Sequence, residues 1–160
     1  KDYLIRKTTL KDLVNPVIRN HSKIFIQEKI KLTTTHLDLP VLADSKWAYF
    51  IIGQILDNAL KYVLTDNSER IPTISILGKT DQKRTLLIIS DNGIGIAQND
   101  LEGIFSKGFT GSNGRIKSIN STGIGLYLCK KLCDKMGVLI TLTSDLGYGT
   151  RVTLSFAVPK

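Results

Sequence analysis

Three groups of residues in this 160-residue chain combine types and spacings that could do chemistry. The first is Asp91-Asn92-Gly93-Ile94-Gly95-Ile96, which follows the apolar run Leu86 to Ile89. A carboxylate at a strand end, flanked by glycines that let backbone approach closely, can face a flat heterocycle. When ionised it only accepts hydrogen bonds, so it would welcome an exocyclic amino group and disfavour a carbonyl oxygen at the same place. The second is Thr122-Gly123-Ile124-Gly125-Leu126 at the start of a helical stretch. Bare N–H donors at the positive end of a helix suit a polyphosphate. The third is Asn58 and Lys61, which share one face of a long helical segment. An amide oxygen is a reasonable Mg²⁺ ligand, and an ammonium one turn on would neutralise phosphate charge.

Taken singly, each group has an ordinary structural reading. Asp91 could close an Asx-turn, the glycines could make a tight turn, and Asn58 with Lys61 could belong to a solvated stripe. Four segments in a fixed order carry more weight than any one of them. They run from Gln54-Ile55-Leu56-Asp57-Asn58-Ala59-Leu60-Lys61-Tyr62 through Asp91 to Ile96. Phe105-Ser106-Lys107-Gly108-Phe109 comes next, then Thr122 to Leu126, with Gly147-Tyr148-Gly149-Thr150 trailing.

The elements that must position these residues can be read from periodicity. A short strand over Ile5 to Thr8 precedes a helix capped by Thr9, whose apolar positions Leu10, Leu13, Val14, Val17, Ile18, Ile24 and Phe25 follow the helical period. Pro16 is expected early in that helix, where a missing donor costs less. Two β-like runs follow, Ile30 to Thr35 and His36 to Ala43, the second ended by Pro40 and an Asp44-Ser45 capping signal. An Asp44-Ser45 cap then opens a long helix over Lys46 to Leu64. Strands over Thr73 to Gly78 and Thr85 to Ser90 flank a loop, Lys79 to Lys83. A helix over Gly125 to Met136 precedes strands over Val138 to Ser144 and Thr150 to Val158. The stretch from Ser106 to Thr122, rich in Gly, Ser, Lys and Asn, lacks periodicity, and loops of that length in a compact domain are usually functional. The expected class is α+β: a two-layer α/β sandwich with helices on one face of a mixed sheet.

Composition sets outer bounds. A chain with 42% apolar and 22% charged residues is globular in type, and its length is that of one domain, taken as 1–160. Lys and Arg outnumber Asp and Glu by 22 to 14, a net +8 that invites an anionic partner. The longest apolar stretch, Trp47 to Leu56, is broken by Gly53 and Gln54 and is too short to span a bilayer. No signal peptide is apparent. Because the chain opens on Lys1 rather than Met, it is expected to be a piece of something longer. Cys129 and Cys133, one helical turn apart, are expected to be free thiols of a reduced compartment.

The ordered segments resemble the N, G1, F, G2 and G3 boxes of the ATP-binding catalytic domain of sensor histidine kinases, a branch of the superfamily that holds DNA gyrase, Hsp90 chaperones and MutL. The resemblance spans nearly the whole chain, from the Leu10 helix to Phe156. It implies a Bergerat-type fold with ATP between the long helix and a flexible lid over about 106–122. It implies Asn58 on Mg²⁺, Lys61 near phosphate and Tyr62 beside the nucleotide. Asp91 would meet the adenine amino group, with Gly93, Gly95 and Ile96 shaping the pocket. Phe105 and Phe109 would bracket a lid whose Lys107, Arg115 and Lys117 close over phosphates. Thr122, Gly123, Gly125 and Leu126 would form the phosphate loop, and Thr150 would approach the adenine through its hydroxyl.

Two departures from the family pattern sharpen the expectation. Gyrase-type ATPases carry a glutamate one turn before the Mg²⁺ asparagine, where this chain has Gln54. An amide cannot be a general base, which favours transfer to a protein acceptor over hydrolysis. Ser121 stands where the family often has a glycine. The two histidines, His21 and His36, both lack the His-Glu/Asp-Leu-Lys/Arg-Thr-Pro type context of the phosphorylated residue. The acceptor is therefore expected outside this chain, in the dimerisation domain of a parent kinase that also meets a response regulator. His21 is expected on a helix face and His36 beside a strand.

The Tyr3 to Leu32 segment resembles that of kinases linked to bacitracin and cationic-peptide sensing in Gram-positive bacteria. Such a parent is membrane-anchored, with this part cytoplasmic. The alternative is a regulatory module of the same fold that holds nucleotide without transferring phosphate. Nucleic-acid binding is disfavoured, because the basic residues are scattered apart from the lid and Lys130-Lys131.

Overall fold

The computed structural model describes residues 4–66, 68–106 and 125–160. In chain order the elements are β1 (Arg6–Thr9), α1 (Leu10–Asn20), α2 (Ser22–Gln27), β2 (Lys31–Thr35), β3 (Pro40–Ala43) and α3 (Ser45–Thr65). They continue with β4 (Thr73–Asp81), β5 (Arg84–Asp91), α4 (Gln98–Leu101), α5 (Gly125–Met136), β6 (Leu139–Asp145) and β7 (Gly149–Ala157). A five-stranded sheet has the order β2-β4-β5-β7-β6, and β1 pairs with β3 in a separate ribbon. Only the β2–β4 pair of the large sheet is parallel. This is the mixed two-layer α+β arrangement expected of the Bergerat type.

The strands of the sheet alternate as a one-sided sheet must. Ile74 and Ile76, Leu87 and Ile89, and Val152, Leu154 and Phe156 are buried under α1, α3 and α5. Each large apolar side chain taken from water in this way contributes roughly 1.5–3 kcal/mol before entropy is counted. Helix α3 starts where Asp44 accepts from the Lys46 and Trp47 amides at 2.9 and 3.0 Å, the N-cap geometry that its residue type predicts. Thr9 caps α1 through the Asp12 amide at 3.2 Å. Cys129 and Cys133 are free and fully buried on the inner side of α5.

The structure corrects several boundaries. Pro40 opens β3 rather than ending a strand, pairing with Thr9 at the first strand position, where its missing N–H is tolerated. Pro16 lies in the middle of α1, not in its first turn. Strands β4 and β5 run on through Lys79 and Thr80 to a two-residue turn at Gln82-Lys83. Polar side chains there face solvent while the backbone ladder continues. The short helix α4 carries no long periodic pattern and escaped the sequence reading.

His21 also departs from expectation. One continuous helix would have placed it on a face, but it forms the corner between α1 and α2. Its Nδ1 lies 2.8 Å from the Val17 carbonyl oxygen and its Nε2 2.7 Å from Asp57 Oδ1 on α3. Both partners are acceptors, so both ring nitrogens must carry protons. The Asp57 hydrogen bond, with help from the Val17 carbonyl and the Asp57 charge, raises the imidazole pKa against the opposing effect of burial. His36 lies just past β2, with a positive φ of 54°.

Candidate functional site

One end of the sheet and the inward face of α3 enclose a narrow cleft. Asn58 and Tyr62 enter it from α3, Asp91 from the end of β5, Ile96 from the following loop, Leu126 from α5 and Thr150 from β7. Ile55, Ala59, Ile89, Leu142 and Val152 complete its apolar walls. The cleft is thus largely hydrophobic with a small set of placed polar groups, the pattern of a small-molecule site.

Asp91 is half-buried at the polar end. Its Oδ1 accepts from the Gly93 amide at 2.8 Å, so it does close an Asx-type turn. The same carboxyl also lines the cleft, and the structural and ligand-facing readings are compatible. Burial pushes its pKa up to about 7, against the lowering effect of backbone hydrogen bonds from Gly93 and Thr150. Near neutral pH the ligand-free carboxyl therefore holds a proton part of the time. Tyr62 is pushed up to about 12, chiefly by burial with the Asp91 and Asp100 charges adding, and stays protonated.

The glycines are steric requirements. A Cβ on Gly93 would overlap the backbone of Tyr62 and Val63, so the loop after β5 can lie flush against α3 only without a side chain. Gly95 has φ of 75° and lies against the Asp145 carbonyl, where an L side chain would be strained as well as crowded. The Ile94 amide bonds the Tyr62 carbonyl at 3.3 Å, and the Gly147 amide bonds the Ile94 carbonyl at 2.7 Å. Arg70 clasps the outer side of this loop, its Nη2 3.4 Å from the Gly93 carbonyl and 3.3 Å from Asp66. Asn92 turns away to the sheet edge, accepting from the Thr73 amide at 2.8 Å and donating to the Ile71 carbonyl at 2.9 Å.

Gln54 lies half-buried one turn before Asn58, and its Oε1 fills the space that a Cβ on Gly125 would need. The position that could have held a general base therefore abuts the start of α5. Lys61 is buried, its Nζ 5.7 Å from the Tyr62 ring centroid, a cation–π distance. Phe105 packs where the main core meets the small cluster of Tyr62, Ile96 and Ile104. Lys107, Phe109, Arg115, Lys117, Thr122 and Gly123, and nearly all of the expected lid, lie outside the described residues.

One residue just behind the cleft escaped the sequence reading. Ser144 on β6 receives the Ile96 amide at 2.8 Å, donates to the Gly149 carbonyl at 2.9 Å and lies 2.8 Å from Thr150 Oγ1. A serine near a strand end carries no signal of its own. Only the register of β6 on β7, which pairs Ser144 with Thr150, reveals it.

The donor set fits a base and a hard cation. Apolar walls with Asp91 and Thr150 at the edge suit a flat heterocycle, and the Asn58 amide oxygen is a suitable Mg²⁺ donor. Among the described residues there is no cluster of three His, Cys, Asp or Glu side chains that could hold a metal ion.

The fold that holds this cleft is shared with known proteins. The chain belongs to the histidine kinase-, DNA gyrase B- and HSP90-like ATPase family, matching it over residues 43–160. In sequence it is 35% identical over 158 residues to the sensor histidine kinase YxdK of Bacillus subtilis, covering 98% of this chain and 47% of that protein. It is 32% identical over 155 residues to the sensor protein BceS of Halalkalibacterium halodurans, covering 97% of this chain and 44% of that one. The sensor protein kinase GraS of Staphylococcus aureus is 39% identical over 120 residues, 75% of this chain and 33% of its own length. The chain therefore spans no more than about half of these relatives. In fold it matches the catalytic domain of the histidine kinase ThkA with a TM-score of 0.79 at 20% identity, covering 97% of this chain and 98% of that one. Full-length ShkA, determined in complex with AMPPNP, superposes with a TM-score of 0.81 at 20% identity, over 99% of this chain and 32% of that one. Among the described residues no helix is long and apolar enough to cross a membrane.

Proposed function

We propose that this chain binds Mg²⁺-ATP and transfers the γ-phosphoryl group to a histidine in the dimerisation domain of a parent two-component sensor kinase. The observation that carries the reading is the convergence of Asn58, Tyr62, Asp91, Ile96, Leu126 and Thr150 on one apolar cleft within a histidine kinase-like fold. The adenine would lie between the α3 wall and the Ile89–Val152 floor, its amino group toward Asp91. Asn58 would hold the metal, with Lys61 and the Gly123-Ile124-Gly125 backbone toward the phosphates. Bound Mg²⁺ supplies charge neutralisation on the phosphoryl oxygens.

Gln54 has no basic lone pair at neutral pH, so it can orient a neighbour but not deprotonate water. That supports transfer to an incoming imidazole, which is already a nucleophile in its neutral form, over hydrolysis. The parent would present that imidazole from a helical hairpin, pass the phosphoryl group to a response regulator, and be a membrane-anchored bacterial kinase with this part in the cytoplasm. The similarity to the sensor kinases YxdK and GraS and the sensor protein BceS supports a sensor kinase as the parent, while a link to peptide-antibiotic sensing rests on the sequence resemblance of the opening segment.

The test is transfer from γ-labelled ATP to a separately supplied histidine-bearing hairpin of the parent, with Mg²⁺ and with chelator. Acid-labile, alkali-stable label on the hairpin, dependent on Mg²⁺, is expected, with none on His21 or His36. Tight Mg²⁺-ATP binding without transfer would instead identify a nucleotide-holding module.

A further inference from the structure

The hydroxyl network behind the cleft has a direction that follows from counting protons. A hydroxyl offers one proton and two lone pairs. Ser144 Oγ has three neighbours at hydrogen-bond distance: the Ile96 amide, the Gly149 carbonyl and Thr150 Oγ1, at 2.8, 2.9 and 2.8 Å. An amide N–H can only donate and a carbonyl oxygen can only accept. The Ser144 proton is therefore committed to Gly149 and one lone pair to Ile96. A single lone pair remains for Thr150, so the threonine is the donor of that contact. Its only proton points back into the protein, and the side of Oγ1 that faces the cleft carries lone pairs alone. Thr150 is buried among Ile89, Ile96 and Val152, where a mismatched polar contact has little water to relieve it.

We infer that Ser144 is a specificity-determining positioning residue: by receiving the Thr150 proton, it makes Thr150 a pure acceptor, so the cleft selects a base that offers a donor there. A 6-aminopurine meets that demand. A 6-oxopurine places a carbonyl oxygen against an oxygen that has no proton to give. The inference rests on the nucleotide reading above and adds to it a residue that never touches the ligand. Asp91 selects by its own chemistry; Thr150 selects only because Ser144 stands behind it.

The test compares binding of ATP and inosine triphosphate, which differ only at the 6-position and the adjoining ring nitrogen, to the whole chain by titration calorimetry. The unmodified chain is expected to prefer ATP. In Ser144→Ala the Thr150 hydroxyl is free to turn and donate, and the ATP-to-inosine-triphosphate affinity ratio is expected to fall roughly tenfold, the range of one reversed buried hydrogen bond. Ser144→Thr, which keeps the hydroxyl, should restore the ratio. Thr150→Val should lower the ratio by itself, and Ser144→Ala added to it should change nothing further. A ratio unmoved by Ser144→Ala, or equal losses for both nucleotides, would overturn the inference and leave Ser144 a packing residue. Should Ser144→Ala not fold, a wild-type ratio in Thr150→Val overturns it equally. An unmodified chain that binds neither triphosphate refutes the nucleotide reading itself. One that prefers ATP with a ratio indifferent to Ser144 and Thr150 refutes this inference alone.

Discussion

The helix wall of the cleft and its strand-end wall are built in different ways. On the helix wall, Ile55, Asn58, Ala59 and Tyr62 all come from α3, and the helical turn alone sets their spacing. On the strand-end wall, Asp91, Ile96 and Thr150 come from β5, its following loop and β7, and are held by hydrogen bonds such as Ile96 to Ser144 of β6 across 48 positions of chain. The Gly93 and Gly95 contacts lock the loop onto Tyr62 and Asp145. The spacing of the α3 side chains is therefore set by their own helix and not by bonds between them. At the strand end, each polar group also sets the state of the next one.

The contrast can be broken by substitution. Asn58→Ala should leave the unfolding free energy within about 0.5 kcal/mol while Mg²⁺-dependent phosphotransfer falls on the order of a thousandfold. Transfer at the normal rate would remove Asn58 from the metal site. Asp91→Asn should weaken ATP binding about a hundredfold, since an amide presents a donor where the base also has one. Unchanged affinity, read by calorimetry, would sink the adenine assignment.

A smaller effect comes from pH. With the Asp91 pKa raised from 3.8 to about 7, the carboxylate that an amino group needs is depleted as pH falls. ATP affinity should drop roughly tenfold between pH 8 and pH 6, and the slope should vanish in Asp91→Asn. The stability of the ligand-free chain carries the opposite sign. The contribution of a carboxyl with a raised pKa is fully present below 3.8 and is lost as pH rises through about 7.

The smallest effect belongs to His21, on the outer side of α3. Its raised pKa means that the pair with Asp57 stabilises fully below 6.5 and fades as pH rises through the folded value. His21→Asn should cost no more than about 1 kcal/mol at pH 5.5, because Asp57 is exposed. It should cost less at pH 8.5. A difference of the opposite sign in urea unfolding would show that the imidazole is neutral in the fold.

Much of this site was legible before any fold was known, and the reason differs between the walls. Asn58, Lys61 and Tyr62 could be read together because helix geometry converts spacing into proximity. The turn at Asp91 could be read because a carboxylate beside two glycines is locally distinctive. Ser144 could not be read, since its meaning comes from the register of β6 on β7. Nor could the contact of Gln54 with Gly125, which needs α5 packed on α3. Pro40 misled because proline is a strand breaker everywhere except at positions such as the first residue of an edge strand.

The amino-acid sequence by itself determined which groups are available: an amide and an ammonium one turn apart, a carboxylate beside glycines, an amide at Gln54 in place of a possible base. These are properties of residue type and of local periodicity, which short-range geometry transmits without help. Only the tertiary structure decided what state those groups are in. Burial set the Asp91 proton near neutral pH, and pairing across strands turned the Thr150 hydroxyl toward Ser144. Both effects arise from neighbours brought close by folding, which alone changes the dielectric and the hydrogen-bond partners around a group.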